Sequence, residues 1–267
     1  MSIVISSKQK KQKETDKERI ERNKQELFNN IVLSFVNVKY TPTYKYLIQF
    51  LFSVSWMLLY IENVFSNWSL LLFKSNEVLQ SSCTAIVYTL PQLALFYLLF
   101  KDKLFIYLRK MNIKQLLVSV KVAGVSIIVS WASVTFVNAV LQIDTATNAG
   151  IVNLSFKHMF AFLVSLFGEE FLFFSAFFLM LSIFTKQKKP AYYTSFIFSG
   201  LFACLVFGLS HLSSYDFNVI QCLLVIGLPS MIKILLYAKT KNLFATYTEH
   251  AVFDLLVVLS VAIASLQ

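Results

Sequence analysis

Met159-Phe-Ala-Phe-Leu-Val-Ser-Leu-Phe-Gly-Glu-Glu-Phe-Leu-Phe-Phe-Ser-Ala-Phe-Phe-Leu-Met180 is apolar apart from two serines and one adjacent pair of carboxylates, Glu169 and Glu170. The stretch is long enough to cross a hydrocarbon core, which takes about 20 residues as a helix. A carboxylate at bilayer depth costs roughly 3 kcal/mol or more, so two side by side require partners. Two histidines in other apolar segments, His211 and His250, are available. On a helix the two glutamates point about 100° apart. One can therefore face a cavity while the other bonds a neighbouring helix. A carboxylate so placed is a usable general base or acid.

The rest of the chain has the same character. Of 267 residues, 57% are hydrophobic and only 14% charged, against about 25% charged in a soluble domain. The expected class is an all-α, polytopic transmembrane helix bundle. A net charge of +10 would raise nucleic acid as a partner of a soluble protein. Here the basic residues fall between apolar runs, where they set orientation and touch anionic lipid. The partners expected are the lipid bilayer and a substrate, with no nucleic acid. The charged first thirty residues argue against a cleavable signal peptide, so the first membrane helix serves as the targeting signal. Cys83, Cys204 and Cys222 lack metal-ligand spacing and read as small buried hydrophobes.

Residues 1–30 read as a charged cytoplasmic arm, with opposite charges four apart at Lys10/Glu14, Lys17/Glu21, Glu18/Arg22 and Arg22/Glu26. Ile31–Val38 is too short to span and is placed in the interface, stopped near Pro42. Seven spans follow, at about 46–65, 82–100 (kinked by Pro91), 116–143, 157–184, 192–212, 217–237 and 243–266. Trp68 marks an interface, and Lys121 snorkels. With the amino terminus inside, the basic stretches at 101–114, 186–189 and 239–241 all fall on the cytoplasmic side. The lysine-free 144–155 loop falls outside, as the positive-inside rule requires. The chain divides into the arm, membrane spans within 31–156, and a core within 157–267.

His211 follows Phe207 by four residues, and His250 precedes Asp254 by four. The second spacing stacks imidazole and carboxylate on one helical face, where Asp254 can hold one ring nitrogen and fix the tautomer of the other. Taken singly, each histidine is equally well read as an interhelical hydrogen bonder. His158, at a helix start, reads as interfacial. Lys121 and Lys233 lie toward the cytoplasmic ends of their spans, so neither is expected beside the glutamates.

Glu169-Glu170, Phe207-x-x-x-His211 and His250-x-x-x-Asp254, in that order, resemble the three motifs of the CPBP (CAAX protease and bacteriocin-processing, Abi) family. That family comprises the CAAX prenyl endopeptidases and related bacteriocin-processing and immunity proteins. The resemblance covers about 157–266, including the run from Gly227 to Leu243. It implies an intramembrane endopeptidase of a bacterial cell membrane, acting on a peptide or a membrane-anchored protein. Glu169 would activate water with help from His211. His250 and Asp254 would stabilise the oxyanion, and Glu170 would support the site. Glu169, His211 and His250 would also suit zinc with a fourth position open for water. A metal-free glutamate base suits the same residues, and the cofactor stays open.

One position departs from the family pattern. Its first motif is Glu-Glu-x-x-x-Arg, and Phe174 stands where the Arg belongs. This leaves Glu170 without its natural ion partner and keeps one rival reading open, while the intramembrane Glu/His groups themselves allow a second. One is a non-catalytic immunity or partner-binding protein on the same fold. The other is a proton-coupled transporter with a Glu/His relay. Counting straight helices at about 1.5 Å per residue adds a conflict of depth: His211 falls nearer the outer face, His250 nearer the inner face, and Glu169 between.

Overall fold

The computed structural model describes residues 16–148, 154–187 and 191–264, and among these the secondary structure is entirely helical. The longer helices are α1 (Asp16–Lys39), α2 (Thr43–Ile61), α3 (Val64–Phe73), α4 (Glu77–Phe100), α5 (Ile113–Ala139), α6 (Met159–Phe184), α7 (Tyr192–Leu209), α8 (Met231–Thr240) and α9 (Leu243–Ala264). Among the described residues, seven segments are long and apolar enough to cross a membrane: Thr43–Ile61, Glu77–Phe100, Ile113–Ala139, Phe156–Phe184, Tyr192–Leu209, Val219–Thr240 and Leu243–Ile263. They match the seven expected spans to within a few residues. The chain is a multi-pass, all-α bundle.

Three local expectations change. The charged arm from Asp16 onward and the short apolar stretch form one helix, α1, whose buried face carries Ile31, Ser34 and Val38. The Lys10/Glu14 pair lies outside the described residues. The connection around Trp68 contains α3, tied to α4 by a 2.9 Å hydrogen bond between Ser69 and Thr84. Pro91 sits inside an unbroken α4. Proline has no N–H to offer the carbonyl four residues back. The indole of Trp56 donates to that carbonyl, on Val87, at 2.9 Å.

Helix α6 is the central rod and the most buried of the seven spans. A helix apolar all round finds no solvent face and takes the middle of a bundle. It packs against α2, α4, α7 and α9. Phe171, Phe173, Phe174, Phe177 and Phe178 are buried, and their rings meet mostly tilted or edge-on; the Phe174 and Tyr237 centroids, for instance, lie 5.3 Å apart. Such offset contacts are favoured by the ring quadrupole. Gly168, one residue before Glu169, gives the Tyr88 ring of α4 room against α6; a side-chain carbon there would overlap it.

The sixth span is broken. A single α turn at Val219–Gln221 leads into a π segment, Cys222–Gly227, then a 3-10 turn with Pro229, and only then α8. Two glycines permit the break. A Cβ on Gly208 would lie 2.5 Å from the Cys222 carbonyl oxygen, and one on Gly227 would lie 2.5 Å from that of Cys204. Without side chains the two backbones touch, as small residues allow between membrane helices.

The turn between α8 and α9 explains the conflict of depth. Lys241, Asn242 and Leu243 are all buried, so α9 starts inside the protein instead of at its surface. Arg109 covers the turn: its N–H donates to the Asn242 side chain at 3.2 Å, and its carbonyl accepts from Asn242 at 3.0 Å. From the other side α1 covers it, as the Lys241 ammonium donates to Ser34 Oγ at 2.7 Å and to the Asn30 carbonyl. A recessed start lifts His250 to the level of Glu169.

Candidate active site

Glu169 lines a cavity of about 980 Å³ bounded by the ends of α2, α4 and α7, by α5, α6 and α9, and by the 145–148 loop. That loop is held by Gln221, which accepts from the Ala146 N–H at 2.8 Å and donates to its carbonyl at 2.7 Å. His211, His250 and Asp254 line the same cavity, and Glu170 turns away from it into the bundle. At the mouth, His158 Nδ1 lies 2.8 Å from the Ser81 hydroxyl. Tyr215 also lines the mouth; burial pushes its phenol up to about 12 against the lowering effect of a hydrogen bond with Asn148, so it remains a neutral donor.

The two histidines present their Nε2 atoms to one carboxylate oxygen. Glu169 Oε2 is 3.6 Å from His211 Nε2 and 3.9 Å from His250 Nε2. The remaining contacts assign the ring protons. His211 Nδ1 lies 2.8 Å from the Phe207 carbonyl, an acceptor only, so Nδ1 carries a proton and donates it. This is the backbone bond that the four-residue Phe207–His211 spacing creates. His250 Nδ1 lies 3.1 Å from Glu170 Oε1. Asp254, expected to fix the tautomer, instead sits 3.6 Å from Nε2. The residue that holds Nδ1 is Glu170.

Glu170 does not lack a charge partner. Lys233 Nζ lies 2.9 Å from its Oε1, and both side chains are buried. The ammonium is sandwiched between the rings of Phe173 and Phe207, 4.5 and 4.2 Å from their centroids. Rings so placed attract a desolvated cation. Position 174, where the motif arginine was expected, holds a phenylalanine packed on Phe178 and Tyr237. The expected placement of Lys233 away from the glutamates fails: the ion pair brings it beside Glu170, on a span that is broken by π and 3-10 segments. Its one signal in the sequence was a lone lysine in an apolar run just after Pro229.

Sequence reasoning also missed Glu249. This carboxylate is buried, lines the cavity, and accepts from the Ser126 hydroxyl of α5 at 2.5 Å. Its position next to His250 was visible, but nothing in the spacing marked Ser126 as its partner. Among the described residues, no group of three or more His, Cys, Asp or Glu side chains is arranged to hold a metal ion. Both Nδ1 atoms are taken by hydrogen bonds, which leaves the two Nε2 atoms as the ring nitrogens facing Glu169.

Glutamate and histidine side chains converge on an open cavity walled by helices of membrane-crossing length. This defines a multi-pass membrane protein with a cluster of carboxylates and imidazoles inside the bundle. Residues 151–256 match the family model described as type II CAAX prenyl endopeptidase, Rce1-like. Every candidate residue named above from Glu169 to Asp254 lies in that segment. The match supports the CAAX protease family, a family of proteases acting on protein substrates. Neither the curated proteins nor the solved structures yield a match to the chain.

Proposed function

We propose that this protein is an intramembrane endopeptidase that cleaves a peptide or a membrane-anchored protein, in bacterial peptide processing or self-immunity to a bacteriocin. In this reading it sits in the cell membrane with its amino-terminal arm on the cytoplasmic side. The observation that carries the reading is the placement of Glu169 Oε2 at 3.6 and 3.9 Å from two imidazole nitrogens at the edge of the cavity. Both gaps exceed a direct hydrogen bond, and a carbonyl or a water held there meets all three side chains.

Glu169 accepts a proton from a water held against His211 Nε2, and the resulting hydroxide adds to the peptide carbonyl carbon. The carbonyl π electrons move to oxygen. A protonated His250 Nε2, steadied by Asp254 at 3.6 Å, donates to that oxyanion. The intermediate collapses as the C–N bond breaks. Glu169 returns its proton to the leaving amine, giving one carboxylic acid and one amine per water consumed. A general base of this kind contributes about 10²–10⁴-fold, and a pre-placed oxyanion donor about 10²–10³-fold.

The non-catalytic reading drew on the missing partner at Phe174; the Lys233–Glu170 pair removes that support. The test is incubation of the protein in lipid nanodiscs with a peptide library in H₂¹⁸O, followed by mass spectrometry. Wild type is expected to yield fragments carrying ¹⁸O at a new carboxyl, and Glu169→Gln none. Equal product from both proteins, or product from neither, overturns the proposal.

A further inference from the structure

We infer that Lys233 is a positioning residue that fixes the tautomer of His250, holding the ring proton on Nδ1 and leaving Nε2 free toward the cavity, acting through Glu170. This deepens the proposed function and rests on it only for its kinetic consequence. The chain of contacts is short. The Lys233 ammonium lies 2.9 Å from Glu170 Oε1, and the same oxygen lies 3.1 Å from His250 Nδ1. Beside an ammonium in a buried setting, Glu170 stays a carboxylate and has lone pairs only. It can accept from Nδ1 but cannot donate to it. Nδ1 therefore keeps its proton in every charge state of the ring. Nε2 becomes the nitrogen that exchanges a proton, and it is the one facing Glu169 at 3.9 Å and Asp254 at 3.6 Å. The ring's fourth neighbour, Phe207, meets it edge-on at 5.9 Å and offers no competing hydrogen bond.

Removal of the cation reverses the logic. With Lys233 gone, the buried Glu170 keeps only the neutral imidazole as a partner, a setting that disfavours a carboxylate, so Glu170 takes one proton from solvent and becomes a donor. His250 Nδ1 then accepts that hydrogen bond, and the ring's own proton sits on Nε2. No atoms are lost; one proton has been added at Glu170, and one has moved across the imidazole. The exchanging nitrogen now points into the bundle, away from the cavity. The charge does not have to come from position 174 on α6. It comes from α8, and the ring sandwich of Phe173 and Phe207 fixes where it stands.

The test is ¹⁵N NMR of histidine-labelled full-length protein in lipid nanodiscs, with His250 assigned by loss of its signals in His250→Gln. Wild type is expected to show a protonated Nδ1, its proton accepted by Glu170 Oε1 at 3.1 Å. Lys233→Arg keeps the charge and is expected to reproduce that pattern. Lys233→Met and Lys233→Gln are expected to show an unprotonated Nδ1; the glutamine variant retains a hydrogen-bond donor in case the methionine variant does not fold. A folded Lys233→Met or Lys233→Gln protein with Nδ1 still protonated overturns the inference, as does a wild type lacking a protonated Nδ1. The outcome does not depend on catalysis. Wild type with protonated Nδ1 and no peptide cleavage would overturn the proposed function alone. Cleavage by wild type alongside unchanged Nδ1 in the uncharged variants would overturn this inference alone.

Discussion

His211 Nε2 faces Glu169 Oε2 across 3.6 Å, and the Phe207 carbonyl holds the proton of the other ring nitrogen at 2.8 Å. Nε2 is thus the ring nitrogen turned toward the carboxylate, across a gap that suits a bridging water. Glu169→Gln removes the base and is expected to lower kcat/KM by about 10²-fold or more. His211→Gln is expected to reduce kcat more than it raises KM. Steady-state kinetics on a peptide found by the nanodisc screen checks both.

Glycines 208 and 227 mark the close approach that breaks the sixth span. Gly208→Ala and Gly227→Ala each force a methyl to 2.5 Å from a backbone oxygen, and overpacking of this kind costs roughly 1–3 kcal/mol. Gly124, on α5, has nothing within 4 Å of the same atom. Gly124→Ala is expected to be neutral or to add up to about 1 kcal/mol from helix propensity. Thermal unfolding in one detergent, comparing the three variants, separates the two cases.

Asn242 is buried, and its side chain bonds both the N–H and the carbonyl of Arg109 while accepting from the Phe244 N–H at 3.1 Å. It holds the recessed start of α9. Asn242→Ala leaves those backbone groups unpaired, a loss of roughly 1–3 kcal/mol. A fall in thermal midpoint is expected together with a fall in kcat, because His250 rides on the same helix. A variant with a lower midpoint and wild-type kcat would show that the turn serves stability alone.

The Ser126–Glu249 hydrogen bond joins α5 to α9 beside the cavity. Ser126→Ala removes the donor from a buried carboxylate and is expected to destabilise by about 1–3 kcal/mol. Glu249→Gln keeps an acceptor for the hydroxyl and is expected to cost less. Unfolding of the two variants in parallel gives the order, and a reversed order would assign Glu249 a role other than partner of Ser126.

The bundle and the grouping of the site were legible for simple reasons. Apolar runs of about 20 residues read directly as spans, and polar residues inside them stand out because lipid rejects them. The four-residue interval between Phe207 and His211 pointed to one helical face and appears as a backbone hydrogen bond. What stayed hidden depended on axial displacement. Counting residues from a presumed membrane surface misplaced His250 and Lys233. The α8–α9 turn is buried under α1 and Arg109, and the sixth span changes pitch through its π segment. Neither displacement leaves a compositional mark beyond Gly227 and Pro229. The pairing of Ser126 with Glu249 was hidden for another reason: it joins residues 123 positions apart, and no local rule connects them.

The cation that neutralises Glu170 arrives on a different helix, and this has a consequence for biogenesis. An arginine one turn along α6 would have entered the bilayer already paired with its glutamate. Here Glu170 and Lys233 enter on the fourth and sixth spans without each other, at roughly 3 kcal/mol apiece where they are charged. Neither is comfortable in lipid as a solitary segment, so during synthesis the earlier one must wait, shielded, for the later. A nascent chain truncated before Lys233 should therefore be a favoured client of membrane quality control.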